Sequence, residues 1–135
     1  MNFTGTILIV DDEAHIRKFV TLILRSIGVT HVVEAPNGAE AVTTYQRINP
    51  DVVLLDVNMP QMDGIETLRK LKEIDPDCFA VMLTSLANRS TVEQALSLGA
   101  ANYIRKDTPK DEIAKALRET LESAFGDSEE PPPAA

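Results

Sequence analysis

Short apolar runs alternate with longer amphipathic stretches along this chain. The runs are Ile7 to Val10, Val32 to Val33, Val52 to Leu55, Phe79 to Leu83 and Tyr103 to Ile104, the second being the weakest signal. Short apolar runs bounded by turn residues read as strands, and apolar spacings of three and four read as helices. The helical stripes are Ile16, Val20, Ile23 and Ile27; Ala41, Val42, Tyr45 and Ile48; Ile65, Leu68 and Leu71; Val92, Ala95, Leu96 and Leu98; and Ile113, Leu117, Leu121 and Phe125. Gly28 and Gly99 follow helical stretches, where a left-handed residue ends a helix. Asn37 with Glu40, and Ser90 with Glu93, have the spacing of a capping box. Thr108-Pro109 opens the fifth helix with proline at its first position, while Asn49-Pro50 and Asp75-Pro76 stop the second and third.

Five strand–helix repeats predict an α/β fold. The expected form is a doubly wound (βα)5, flavodoxin-like three-layer sandwich with a parallel sheet in the order 2-1-3-4-5. Ile7 to Val10 and Val52 to Leu55 are apolar at every position, as central strands covered on both faces are. This domain takes in residues 1–125. The segment 126–135 is acidic and proline-rich, and its composition predicts a disordered tail.

Composition narrows the partners. A chain of 135 residues can bury a core without disulfides or structural metal. The net charge of -8 argues against a nucleic-acid surface and against docking on anionic membrane. No apolar run reaches the length of a membrane span, and residues 1–6 lack an export signal. The single cysteine, Cys78, reads as a small buried hydrophobe in a reducing, cytoplasmic setting.

In a doubly wound sheet, sites form beyond the carboxyl ends of the strands where the winding reverses, here between the first and third. The residues that follow the apolar runs are Asp11, Asp12 and Glu13, then Asp56, then Thr84 and Ser85, and Lys106 close behind the last. With neighbouring strands about 4.8 Å apart, Asp11, Asp12 and Asp56 crowd together. Two carboxylates about 4 Å apart repel by roughly 4 kcal/mol at an effective dielectric near 20, so the cluster needs a counterion. An oxygen-only donor set favours Mg²⁺. Asp12 and Asp56 are the expected direct ligands, with Asp11 acting through water or behind them, and the backbone carbonyl of Asn58 as a further ligand. A carboxylate such as Asp56 is a workable nucleophile toward phosphorus, giving an acyl phosphate. Thr84, one strand away, can donate its hydroxyl to a phosphoryl oxygen. Lys106, two strands and about 10 Å away, has a stem long enough to bring a cation there.

With these residues in place the chain resembles the response-regulator receiver domains of two-component signalling, of the single-domain, chemotaxis-regulator-like bacterial type. The matching pieces are Ile7-Leu-Ile-Val-Asp-Asp-Glu13, Asp51-Val-Val-Leu-Leu-Asp-Val-Asn-Met-Pro-Gln-Met-Asp-Gly64, Met82-Leu-Thr-Ser85 and Gly99-Ala-Ala-Asn-Tyr-Ile-Arg-Lys106. The resemblance implies Asp56 as phosphoacceptor, Asp11 and Asp12 in a Mg²⁺ pocket completed by the Asn58 carbonyl, and Lys106 as the residue that pairs with the phosphate. It implies Thr84 as a switch hydroxyl and Tyr103 as the aromatic that follows it inward. The implied donor is a sensor histidine kinase or histidine phosphotransfer domain, docking beside the first helix and the loop after the fifth strand. The implied output is an unknown downstream protein that reads the surface of helix 4, strand 5 and helix 5, with the chain itself a monomer or weak dimer. The family usually has proline after the lysine, often with a cis bond before it. Here Asp107 takes that place. A cis bond before a non-proline residue costs about 3 kcal/mol, so a trans bond is expected, with Asp107 a rival anion for Lys106.

Two other classes compete. A Mg²⁺-dependent aspartyl-phosphate phosphatase of the dehalogenase type needs a second aspartate two residues beyond the nucleophile as general acid, and that position is Asn58. A pseudo-receiver would bind partners without ever taking phosphate, and the complete acidic pocket argues against it. His15 and His31 read as surface histidines, one at a helix start and one at the head of a weak strand.

Overall fold

The computed structural model describes residues 3–85 and 88–126. Five strands, β1 (Thr6–Val10), β2 (His31–Ala35), β3 (Val52–Leu55), β4 (Ala80–Thr84) and β5 (Asn102–Arg105), alternate with five helices. The helices are α1 (Ala14–Ser26), α2 (Gly38–Ile48), α3 (Gly64–Ile74), α4 (Arg89–Ser97) and α5 (Lys110–Phe125). The strands form one parallel sheet in the order β2-β1-β3-β4-β5, as the repeat pattern predicts.

Period-two alternation splits each central strand between two cores. Leu8, Val10, Val53, Leu55 and Met82 pack with Tyr45, Leu68, Leu71 and Ala95 on the side of α2, α3 and α4. Ile7, Ile9, Val52, Leu54, Val81 and Leu83 pack with Ile23, Leu24, Ile113, Leu117 and Leu121 on the side of α1 and α5. The edge strands bury less. His31 and Glu34 of β2 and Arg105 of β5 face solvent, which is why β2 shows only a two-residue apolar run in the sequence.

Helix boundaries follow local chemistry. Asn37 Oδ1 accepts the Glu40 N–H at 2.8 Å, the expected cap of α2. Gly28 and Gly99 have φ of 99° and 94°, the left-handed ends expected of them. At α4 the expected Ser90 cap is displaced: the Asn88 side chain accepts the Thr91 N–H, so the helix starts at Arg89 and encloses Ser90. Pro109 caps α5 rather than occupying its first turn. The stripe on α4 is also narrower than its spacing suggests. Ala95 is buried and Val92 and Leu98 are half-buried, but Leu96 falls on the solvent flank and is exposed. Asp63, with no cap role in the sequence reading, accepts the Glu66 N–H at 2.9 Å and starts α3. Residues 127–135, most of the expected tail, lie outside the described residues.

Candidate functional site

The parallel register fixes where the acids stand. Val10 of β1 is level with Leu55 of β3, so Asp11 and Asp56 leave the sheet side by side. The Asp11 N–H donates to Ala35 O at 3.2 Å, and the Asp56 N–H donates to Val10 O at 3.0 Å. Both carboxylates are buried, each residue keeping 3% of its surface, while Asp12 is exposed. One oxygen from each of Asp11, Asp12 and Asp56 lies within 4.8 Å of the others.

Lys106 follows β5 and is tied to β4 by its N–H, which donates to Thr84 O at 3.0 Å. Its ammonium reaches across to Asp11 Oδ2 at 2.5 Å and Asp56 Oδ2 at 3.2 Å. The stem therefore spans the two-strand gap as expected, but the amine meets both buried carboxylates directly. Part of the counter-charge that the acid cluster demands, one charge against three carboxylates, is thus built into the chain. Each carboxylate also accepts one backbone N–H: Glu13 on Asp11 Oδ1 at 2.9 Å and Asn58 on Asp56 Oδ1 at 3.3 Å. No buried side-chain nitrogen or oxygen lacks a partner among the described residues.

The electrostatics follow from burial and pairing. Burial pushes the Asp11 carboxyl above its usual range, against the lowering effect of its hydrogen bond with Lys106. Burial alone would lower the Lys106 ammonium. The hydrogen bond to Asp11 and the charges of Asp56 and Asp11 outweigh it and hold Lys106 above its ordinary value. Lys106 therefore stays protonated at neutral pH.

Thr84 ends β4 fully buried on the same edge of the sheet. Tyr103 in β5 is half-buried against the core on the α2–α4 side. Burial, then the negative charge of Asp56, raises its hydroxyl's pKa. Asn58 is exposed at the head of the loop between β3 and α3. That loop closes tightly. The Gly64 N–H donates to Val57 O at 2.9 Å, and a Cβ on Gly64 would collide with the Asp56 carbonyl. Met59 is buried in the adjoining core and so anchors the loop.

One expectation holds and one changes at the loop after β5. The Lys106–Asp107 bond is trans, since the described residues contain no cis peptide bond. Asp107 does not compete for Lys106. It forms a two-pronged pair with Arg105, whose Nε and Nη2 donate to Oδ1 and Oδ2 at 3.0 and 2.7 Å. Arg105 precedes Lys106 and points to solvent, so the pair leaves the ammonium to the site.

Arg17 escaped the sequence reading. It donates through Nη1 to Asp11 O at 2.7 Å and through Nε to Glu34 Oε1 at 2.8 Å. Its only signal in the sequence is a charge beside Ile16, at the edge of the apolar stripe of α1. His15 and His31 are exposed.

The donor set fits a hard cation: three carboxylate oxygens close together, two of them from buried residues, with no sulfur or imidazole in the group. Asp11, Asp12 and Asp56 are the side chains that would hold it.

Comparison with known proteins agrees with the fold. The chemotaxis protein CheY of Bacillus subtilis is 40% identical over 115 residues, spanning 85% of this chain and 96% of that protein. A protein-glutamate methylesterase/protein-glutamine glutaminase of Archaeoglobus fulgidus is 42% identical over 102 residues, 74% of this chain but 29% of the larger protein. Among solved structures, a chain of the CheX–CheY–BeF3–Mg²⁺ complex from Borrelia burgdorferi superposes with a TM-score of 0.79 at 33% identity, covering 89% of this chain and 88% of that one. The family model for the response regulator receiver domain matches residues 7–118, from the first residues of β1 into α5. The chain belongs to the response regulator receiver domain family.

Proposed function

We propose that this receiver domain is a phosphoacceptor switch in which Asp56 takes a phosphoryl group from a phosphohistidine. The observation that carries the reading is the buried Asp56 carboxylate, sharing the Lys106 ammonium with Asp11 at the strand edge that also ends in Thr84. In the transfer, an Asp56 oxygen forms a bond to phosphorus. The phosphorus–nitrogen bond of the donor breaks, and its electron pair returns to the imidazole. Asp11, Asp12 and Asp56 with the Asn58 carbonyl would hold Mg²⁺, which would supply neutralisation of the transferring oxygens. Lys106 holds the nucleophile in place before transfer and pairs with the phosphoryl group after it. Asn58 stands where a dehalogenase-type phosphatase carries its acid, and an amide cannot protonate a leaving group.

The phosphoryl group brings about -1.5 to -2 charges to Asp56. Thr84 turns its hydroxyl toward a phosphoryl oxygen, and Tyr103 moves into the space beside β4. α4 is the element best able to respond, because Ala95 is its one fully buried residue. The face of α4, β5 and α5 then presents a new surface to a downstream protein. Moving such an equilibrium from 1:99 to 99:1 takes about 5.5 kcal/mol of preferential binding. The donor is a sensor histidine kinase or a histidine phosphotransfer domain. A relative's complex with BeF3 and Mg²⁺ suggests the test. Beryllofluoride with Mg²⁺ should shift the backbone amide resonances of Asp56, Thr84, Tyr103 and Lys106, and those of α4. Shifts that persist in Asp56→Asn, or that stop at the loop after β3, would contradict the switch.

A further inference from the structure

We propose that Arg17 is a positioning residue for the acidic turn: its guanidinium, braced by Glu34, holds the backbone at Asp11 and so aims the carboxylates of Asp11 and Asp12. The inference rests on the Mg²⁺ reading given above. Asp11 is where β1 leaves the sheet. Its N–H still pairs with Ala35 O of β2, but its carbonyl takes the Arg17 Nη1–H at 2.7 Å. Immediately beyond, Glu13 donates its N–H to Asp11 Oδ1, and its carbonyl accepts the Ile16 and Arg17 N–H groups at 3.0 and 3.1 Å to start α1. Arg17 thus grips the far side of the same short turn that its own helix grows from. The side chain is held rather than free, with 16% exposed against 45% for Glu34. The second prong, Nε to Glu34 Oε1 at 2.8 Å, ties the guanidinium to β2. One planar fork therefore joins β2, the acidic turn and α1, a geometry a lysine cannot reproduce.

Charge and positioning make opposite predictions here. A cation beside an acid cluster repels Mg²⁺, so if charge were its effect, removing it would tighten metal binding. If position is its effect, removing the fork lets Asp11 and Asp12 drift and weakens binding. Groups that orient metal ligands typically change affinity by about 10- to 100-fold when lost.

Calorimetric titration of the full chain with Mg²⁺ decides between them, with thermal unfolding to verify the fold. Arg17→Lys, which keeps the charge, should weaken Mg²⁺ binding by roughly 10-fold. Glu34→Ala should weaken it in the same direction, and the double variant no more than Arg17→Lys alone, because the two act as one unit. Unchanged affinity in both folded variants, whatever their melting temperatures, would reduce Arg17 to a structural ion pair and overturn the inference. Tighter binding in either would overturn it as well, and a further loss in the double variant beyond Arg17→Lys would assign the Glu34→Ala effect to its charge. A wild-type chain that binds no Mg²⁺ would remove the metal reading and this inference with it, whereas wild-type binding with indifferent variants removes only the inference.

Discussion

Replacing Lys106 with methionine keeps most of the aliphatic stem and removes the ammonium that bridges Asp11 and Asp56. At an effective dielectric near 20, its attraction over 2.5 and 3.2 Å is roughly 5 to 7 kcal/mol for each carboxylate before solvation is counted. Desolvation offsets much of that, and removing one partner of a buried pair costs about 3–5 kcal/mol in practice. Lys106 keeps 14% of its side chain exposed, which places the loss at the low end, about 3 kcal/mol, or roughly 10 °C in melting temperature. The pH dependence identifies the cause. Burial already raises the Asp11 pKa, and the Lys106 hydrogen bond opposes it. Without Lys106 the folded variant holds the Asp11 proton to higher pH. A raised folded pKa stabilises below the unfolded value, and that contribution is lost as pH rises through the folded one. The deficit against wild type should therefore be full at neutral pH and shrink toward about pH 4, near the ordinary aspartate value. Mg²⁺ should shrink it too, since without the competing ammonium the folded acid cluster binds the ion more tightly and the variant gains more from it than wild type does. Thermal unfolding at several pH values, with and without Mg²⁺, reads all of this. A deficit that ignores both pH and Mg²⁺ would show that the stem's packing, and not its charge, carries the effect.

Tyr45→Phe should cost about 1–2 kcal/mol in denaturant unfolding, because the buried hydroxyl donates to Asp75 Oδ2 at 2.7 Å. Burial raises both Tyr45 and Cys78 above their ordinary values of 10.0 and 9.0, so the folded chain keeps protons that the unfolded chain loses. Wild-type stability should fall as pH rises past those values, and less steeply above the tyrosine value in Tyr45→Phe. Gly64→Ala should destabilise by several kcal/mol and lower the rate of Asp56 phosphorylation, because the new methyl group meets the Asp56 carbonyl and Val57 backbone. An unchanged melting temperature would contradict that close approach. Asp107→Ala should leave both thermal unfolding and phosphorylation by acetyl phosphate unchanged, since its partner is the exposed Arg105 and not Lys106. A faster rate would revive Asp107 as a rival for the lysine.

The layout of strands and helices was legible because it depends on periodicity alone. The central strands carry unbroken apolar runs, and β3 matches its expected span residue for residue. Errors fall where local rules compete or packing decides. β2 looked short because its solvent-facing positions interrupt the run, and the capping signals near α4 favoured Ser90 while the chain chose Asn88 two residues earlier. The gathering of Asp11, Asp12, Asp56, Thr84 and Lys106 at one edge could be read from strand ends. What could not be read is which side chains meet. Lys106 settling on two carboxylates depends on side-chain reach across three strands, and only then is Asp107 left to its near neighbour Arg105. Arg17 with Glu34 lies further out of sight, since neither residue stands at a strand end on the acidic edge. Pairings of this kind are set by three-dimensional neighbours and leave no spacing in the chain.

The central claim is that Asp56 accepts a phosphoryl group, and intact mass spectrometry after incubation with Mg²⁺ and acetyl phosphate tests it most directly. Phosphorylation of Asp56 gives a single gain of about 80 Da, the mass of one phosphoryl group, that is lost in Asp56→Asn. No gain in folded, Mg²⁺-binding protein, with acetyl phosphate and then with a phosphohistidine donor, would contradict it.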